Sequence, residues 1–158
     1  LRLGAAAVLG AIIGLEREFA GKEAGVRTDI MVAAGAAIFS IVGLTLPYVI
    51  SLDDVHLRQV LASNSGFLGA VANVVIGVGF LGAGIIVKQG THVHGLTTAA
   101  TVWFAAAVGV LCGIGLMSFA AVAALSTALL LVILRKVDLY RLLGKNSGSE
   151  NSDHDLNS

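Results

Sequence analysis

Gly77-Val-Gly-Phe-Leu-Gly-Ala-Gly84 follows the run Val74-Val-Ile76 and, after ten intervening residues, is succeeded by Gly95-Leu-Thr-Thr-Ala-Ala-Thr-Val-Trp103. Two opposed folds fit the first segment. Gly77-x-Gly79-x-x-Gly82 satisfies the dinucleotide-binding pattern, and the valines before it could be a strand. A Rossmann unit, however, needs an acidic residue about 20 positions beyond its glycines to hold the ribose. Thr97-Thr-Ala-Ala-Thr-Val-Trp-Phe104 occupies that place and contains no carboxylate. No charged residue occurs between positions 67 and 87, nor between 96 and 134. Glycines in uncharged runs of this length let helix backbones approach closely inside a bilayer.

The rest of the chain agrees. It is 56% hydrophobic and 13% charged, with one proline, where a soluble domain carries about 25% charged residues. Ten basic residues balance ten acidic ones, so no basic surface suggests nucleic acid as a partner. A lone cysteine, Cys112, excludes an internal disulfide and a cysteine-based metal site. No small-residue cleavage site follows the first apolar stretch, so a cleavable signal peptide is not expected.

A span needs about 20 mainly apolar residues. Candidates are residues 3–15, 30–50 (with Pro47 near its far end) and 66–87. The 39 residues of 96–134 would make a helix of about 58 Å, too long for one crossing. They are expected to form two spans that turn at Gly113-Ile-Gly115. The fold class is therefore an all-α, polytopic membrane bundle of about five helices. Arg17, Lys22, Arg27, Lys88, Arg135, Lys136, Arg141 and Lys145 fall on one side, against Arg2 and Arg58 on the other. The positive-inside bias then predicts an outer N-terminus and a cytoplasmic C-terminus. Residues 1–136 read as the transmembrane domain. Residues 137–158 read as a cytoplasmic flank leading into a polar tail, disordered beyond Leu143.

Arg27-Thr-Asp29, the 77–84 glycine segment, Gly95-Leu-Thr-Thr-Ala-Ala-Thr-Val-Trp103 and Gly14-Leu-Glu-Arg17 together resemble the membrane domain of the MgtC/SapB family. The resemblance covers about residues 4–125, in the family's order and spacing. It implies a bacterial inner-membrane protein with a regulatory or homeostatic role in adaptation to low magnesium or envelope stress. In intracellular pathogens the family is also linked to survival in macrophages. The implied partners are other inner-membrane proteins, ATP synthase or a transporter among them. Many members carry a soluble C-terminal domain, which is not expected here. Gln89 and Thr97 stand where some virulence-associated members have an acidic residue and an asparagine.

Three groups of residues carry the candidate chemistry. Glu16, Arg17 and Glu18 close span one while Arg27, Thr28 and Asp29 open span two, about ten residues later. Pairing of Glu16 or Glu18 with Arg27, and of Arg17 with Asp29, is expected. The charges either end the helices, snorkel and cap span two, or form a polar cluster for a cation or a partner's charged segment. Gly77, Gly79, Gly82 and Gly84 either pack span three or break it to expose backbone groups. Gly10-x-x-x-Gly14, Gly79-x-x-x-Ala83 and Gly109-x-x-x-Gly113 are expected to pack spans one, three and four. At the start of span four, Gly95, Thr97, Thr98 and Thr101 either cap and bond back to the helix or line a polar pocket facing spans two and three.

The remaining polar residues are read more plainly. Trp103 is expected to pack on span three, and Asn73 to hydrogen-bond across to another helix. His92-Val-His94 is too thin for zinc and reads as an interfacial loop. Asp53, Asp54 and His56 read as a solvated acidic loop. No metal, cofactor or catalytic arrangement emerges, so an enzyme is not expected. Besides the lipid bilayer and other membrane proteins, a homodimer would suit the glycine-rich faces. The alternative function is a small ion or solute transporter with a path between spans two, three and four.

Overall fold

The computed structural model describes residues 1–51, 54–62, 65–89 and 91–149. Among the described residues there are six helices: α1 (Arg2–Phe19), α2 (Val26–Ile50), α3 (Asp54–Ala62), α4 (Ser65–Ile85), α5 (Leu96–Ile114) and α6 (Met117–Ser149). A two-stranded antiparallel hairpin, β1 (Val87–Gln89) and β2 (His92–His94), joins α4 to α5, with Val87 opposite His94 and Gln89 opposite His92.

Among the described residues, four helices are long and apolar enough to cross a membrane: α2, α4, α5 and the Met117–Val137 part of α6. The fifth expected span, α1, falls outside that count because its 18 residues include Arg2, Glu16, Arg17 and Glu18. It nevertheless runs the depth of the bundle. Arg2 Nη1 donates to the Gly113 carbonyl at 3.0 Å near the far end of α5, while Gly14 lies against Val26 at the start of α2.

The expected turn between spans four and five is present, and its two glycines act differently. Gly115 adopts φ +94°, a left-handed conformation that side-chain-bearing residues resist. The Leu116 N–H then closes the helix end on the Leu111 carbonyl at 2.9 Å. Gly113 is instead a packing residue: a Cβ there would lie 2.6 Å from the Ser40 Cβ and 2.7 Å from the Ala37 carbonyl oxygen.

Small residues bring α2 between α1 and α5. A Cβ on Gly10 would meet the Asp29 carbonyl at 2.6 Å and the Ala33 Cβ at 3.0 Å, and one on Gly14 would meet the Val26 Cα at 2.6 Å. On the opposite flank, a Cβ on Gly109 would collide with the Ala33 carbonyl oxygen. Both outer pairs of small residues thus pack onto span two, where the sequence pattern suggested that spans one, three and four pack together. Since Ala33 meets Gly109 and the next turn of α2 meets Gly113, α2 and α5 run parallel. Ala6, Ile13, Ala33, Ala37, Val108, Cys112, Ala120 and Ala124 form one apolar core. Ala36, Val74, Val78, Val102 and Ala106, with Ala24 from the first loop, form a second towards α4.

Several local expectations differ. The loop after α2 contains α3, and the loop after span three holds a two-stranded hairpin. Helix α6 continues to Ser149, past the change of composition at Leu143. Trp103 is 47% exposed, not packed away. Asp53, the side chains of Asp54 and His56, and the tail from residue 150 lie outside the described residues.

The packing predicts a contrast between two glycines. Gly109→Val forces overpacking against the α2 backbone and is expected to cost about 1–3 kcal/mol or more. A Cβ on Gly79 would meet nothing within 4 Å, so Gly79→Ala should be neutral or stabilising by up to about 1 kcal/mol. Thermal unfolding of both variants in detergent, followed by circular dichroism, measures the difference.

Candidate functional site: a buried charged junction at one end of the bundle

The parallel course of α2 and α5 puts their N-termini at one end, beside the C-terminus of α1 and the first loop. Polar side chains converge there. Glu16 (6% exposed), Arg17 (4%) and Asp29 (0%) are buried, as are Thr98 and Thr101. In a membrane-spanning helix such groups are costly and face the bundle interior.

The charges pair differently from the expected scheme. Arg17 Nε and Nη2 both donate to Glu16 Oε2, each at 2.7 Å. Arg27 and Thr28 are exposed, and the expected Arg27 pairs with Glu16 or Glu18 are absent among the described residues. The reason is helical periodicity: Asp29 shares the inward face of α2 with Ala33 and Ala37, whereas Arg27 and Thr28 point away. Glu18 instead reaches the start of α2, where its Oε2 accepts the Val26 N–H at 3.1 Å. That carboxylate satisfies a free amide at the positive end of the helix dipole. Gly25 occupies the N-cap position of α2 without a side-chain bond, so neither Thr28 nor Asp29 caps the helix.

Four buried polar atoms have no hydrogen-bond partner among the described residues: Glu16 Oε1, Arg17 Nη1, Asp29 Oδ1 and Asp29 Oδ2. Arg17 is the charged group whose field reaches Asp29. One guanidinium therefore serves two buried carboxylates while hydrogen-bonding only one of them. Buried polar atoms are almost always satisfied, so this concentration of exceptions at one junction marks it out from the rest of the bundle.

The opening of α5 adds a second polar contact. Gly95 sits at the N-cap with φ +81°, where any Cβ would run into the Ile85 carbonyl oxygen. No side chain caps this helix, and Thr97 is exposed. Thr101 bonds back to the helix, donating towards the carbonyls of Thr98 (2.8 Å) and Thr97 (3.1 Å). Thr98 does not: its Oγ1 donates to Glu23 Oε2 at 3.0 Å, linking the first loop to span four across 75 positions of sequence. Sequence reasoning does not single out Glu23, which is one charge among several in a short loop. Nor does it reach Arg135 of α6, which with Glu16, Phe19 and Val132 lines a shallow pocket between α1 and α6.

The glycines of α4 do not join this site. Helix α4 is continuous, Gly82 is buried with its Cβ position 3.5 Å from the Ala99 Cβ, and Gly77, Gly79 and Gly84 are exposed with nothing within 4 Å. His92 and His94 lie exposed on β2. Among the described residues, no group of three or more histidines, cysteines and carboxylates could hold a metal ion.

Fold and junction define a multi-pass α-helical membrane protein with a buried charge cluster at one end. The sequence profile of the MgtC family matches residues 3–140. Protein MgtC of Brucella abortus (strain 2308) is 47% identical over 121 residues, 77% of this chain and 44% of that protein. Protein MgtC of Salmonella typhimurium (strain LT2) is 44% identical over 115 residues, 73% of this chain and 43% of that protein. The chain belongs to the MgtC family. It spans less than half the length of these relatives. No solved structure matches it.

Two outcomes test the junction. Arg17→Gln leaves both carboxylates without their guanidinium and is expected to destabilise the fold by about 3–5 kcal/mol, read from thermal unfolding in detergent. Glu23 is held below its ordinary value of 4.5, first by its own backbone N–H and then by the Thr98 hydroxyl. A carboxylate depressed in the folded state contributes stability above its ordinary value and loses it as pH falls through the folded value. A carboxyl NMR titration should place the Glu23 midpoint below 4.5, and Thr98→Val should move it upwards.

Proposed function

We propose that this chain is an MgtC-type protein of the bacterial inner membrane with a regulatory or homeostatic role. It serves adaptation to low magnesium or envelope stress by engaging other membrane proteins, and it is not an enzyme. The carrying observation is the buried junction of Glu16, Arg17 and Asp29 beneath an exposed polar rim. That rim comprises Lys22, Glu23, Arg27 and Thr28. Buried charges hold the ends of α1 and α2 in a fixed relation, and the rim offers charges of both signs to a partner. Electrostatic patterning of this kind selects partners more than it sets affinity.

The cytoplasm is the proposed side of this rim. Arg17, Lys22, Arg27 and Lys88 flank the same bundle end, with Arg135 beside Glu16, and lysine and arginine concentrate on cytoplasmic loops. With α1 running the depth of the bundle, this orientation puts the N-terminus outside and the C-terminus inside. Inner-membrane partners such as ATP synthase or a transporter then meet the chain at its cytoplasmic end.

One observation favours a second reading, a small ion or solute transporter with its path between α2, α4 and α5. Asp29 is an ionisable group on a spanning helix without a hydrogen-bond partner among the described residues, a common mark of ion pathways. Against it, the groove between α2 and α4 is apolar apart from Asn73.

Growth in micromolar magnesium tests the first reading. A strain lacking the protein should be rescued by wild type but not by Asp29→Asn or Arg27→Glu at equal membrane abundance. Equal rescue by both variants would sink the polar-rim account. Ion uptake into vesicles carrying the purified chain separates the second reading from the first.

A further inference from the structure

A wide groove lies away from the charged junction, between α2 and α4. Its volume is about 840 Å³. Phe39, Gly43 and Leu46 contribute from α2, and Gly69, Asn73 and Gly77 from α4. Among the described residues that line the groove, Asn73 is the only one with a polar side chain. It is exposed, and among the described residues it has no hydrogen-bond partner. Within the Gly66–Ile85 span it lies seven residues from one end, about 10 Å into the membrane. An amide left unpaired in hydrocarbon is unfavourable. An occupant that hydrogen-bonds to Asn73 would remove that cost.

We propose that the occupant is α4 of a second copy of this chain, the two copies related by a two-fold axis along the membrane normal. Three features favour a second copy. Copies inserted in the same direction bring identical residues to identical depths, so Asn73 meets its own counterpart. A carboxamide carries both donor and acceptor, so two of them satisfy each other, which an acyl chain cannot do. Gly69 and Gly77 lie four residues either side on the same helix face, and a Cβ at either would meet nothing within 4 Å. The backbones can thus approach closely around the amide pair.

The same helix also supplies the means of filling its counterpart's groove. Ile76 and Phe80 are 70% and 81% exposed. Only 17% of the α4 span is buried, against 56% of α5, so most of its surface is free for contact. Placing each α4 in the other's α2–α4 groove makes an isologous four-helix contact, closed and self-complementary. The charged junction takes no part in it.

Energy transfer between donor- and acceptor-labelled full-length copies, in vesicles of phosphatidylethanolamine and phosphatidylglycerol, tests the proposal. Wild type should associate saturably as the protein-to-lipid ratio rises. Asn73→Val should weaken association about tenfold, and Gly77→Leu at least as much. Both positions face open space, so circular dichroism should report unchanged folding. Under oxidation, Asn73→Cys should cross-link two chains while Phe119→Cys on α6 does not. Cys112 is fully buried and stays silent. Monomers at every ratio overturn the proposal, as does a dimer unaffected by both substitutions that fails to cross-link at position 73. Purification of a monomer with lipid or a foreign helix bound at Asn73 also overturns it.

Discussion

Everything in this bundle depends on how closely α2 can be approached at Ala33. Gly10 of α1 abuts it on one side and Gly109 of α5 on the other, and neither glycine has room for a methyl group. In a bilayer the hydrophobic effect does not drive helices together, because lipid tails are as apolar as leucine side chains. Close van der Waals contact has to do that work instead. The three-helix clamp around Ala33 is where this chain concentrates it, with Ala37, Val108 and Cys112 extending the core towards the far end.

The clamp also sets the electrostatics. Asp29 is one turn from Ala33 on the same face of α2, so whatever seals Ala33 seals Asp29. Helix α1 arrives beside it with Arg17 one turn beyond Gly14 on the same face, and Arg17 is held on Glu16. The cost of burying these charges is thereby tied to the packing of small residues on helices distant in sequence. A family whose members include Protein MgtC of Brucella and Salmonella thus has here a membrane domain in which apolar packing and buried charge are parts of one device. The α2–α4 side is looser: Gly43 meets Ala70 there, but most of α4 is left uncovered.

Much of the architecture can be read from residue order. Uncharged runs of membrane-crossing length, the Gly113-Ile-Gly115 break and the Arg27-Thr-Asp29 segment lead to an all-α membrane bundle, to the position of the turn and to the family. Two elements escape that reading for a physical reason. Helix α3 has too little apolar character to stand out as a span, and the hairpin strands are three residues each, too short for a period-two pattern. The limit of α1 is blurred because charges at both of its ends shorten the apolar run without ending the helix.

The candidate site is legible in its membership and illegible in its connections. Glu16, Arg17, Asp29, Thr98 and Thr101 can be named because polar residues are conspicuous beside apolar spans. Which of them meet depends on rotation about each helix axis, and that is set by contacts between helices that are distant in sequence. A rotation of α2 carrying Arg27 inwards would have produced the expected pair with Glu16. The glycine contacts with Val26, Asp29 and Ala33 instead turn Asp29 in and Arg27 out. The bond from Thr98 to Glu23 is of the same kind, since no local pattern relates a loop carboxylate to a hydroxyl 75 residues later. The sequence by itself determined that the chain is an all-α membrane bundle and where its last two spans turn, because hydropathy and glycine act locally. Only the tertiary structure decided which faces of those helices touch, and hence which charges are buried, which are paired and which are left without a partner.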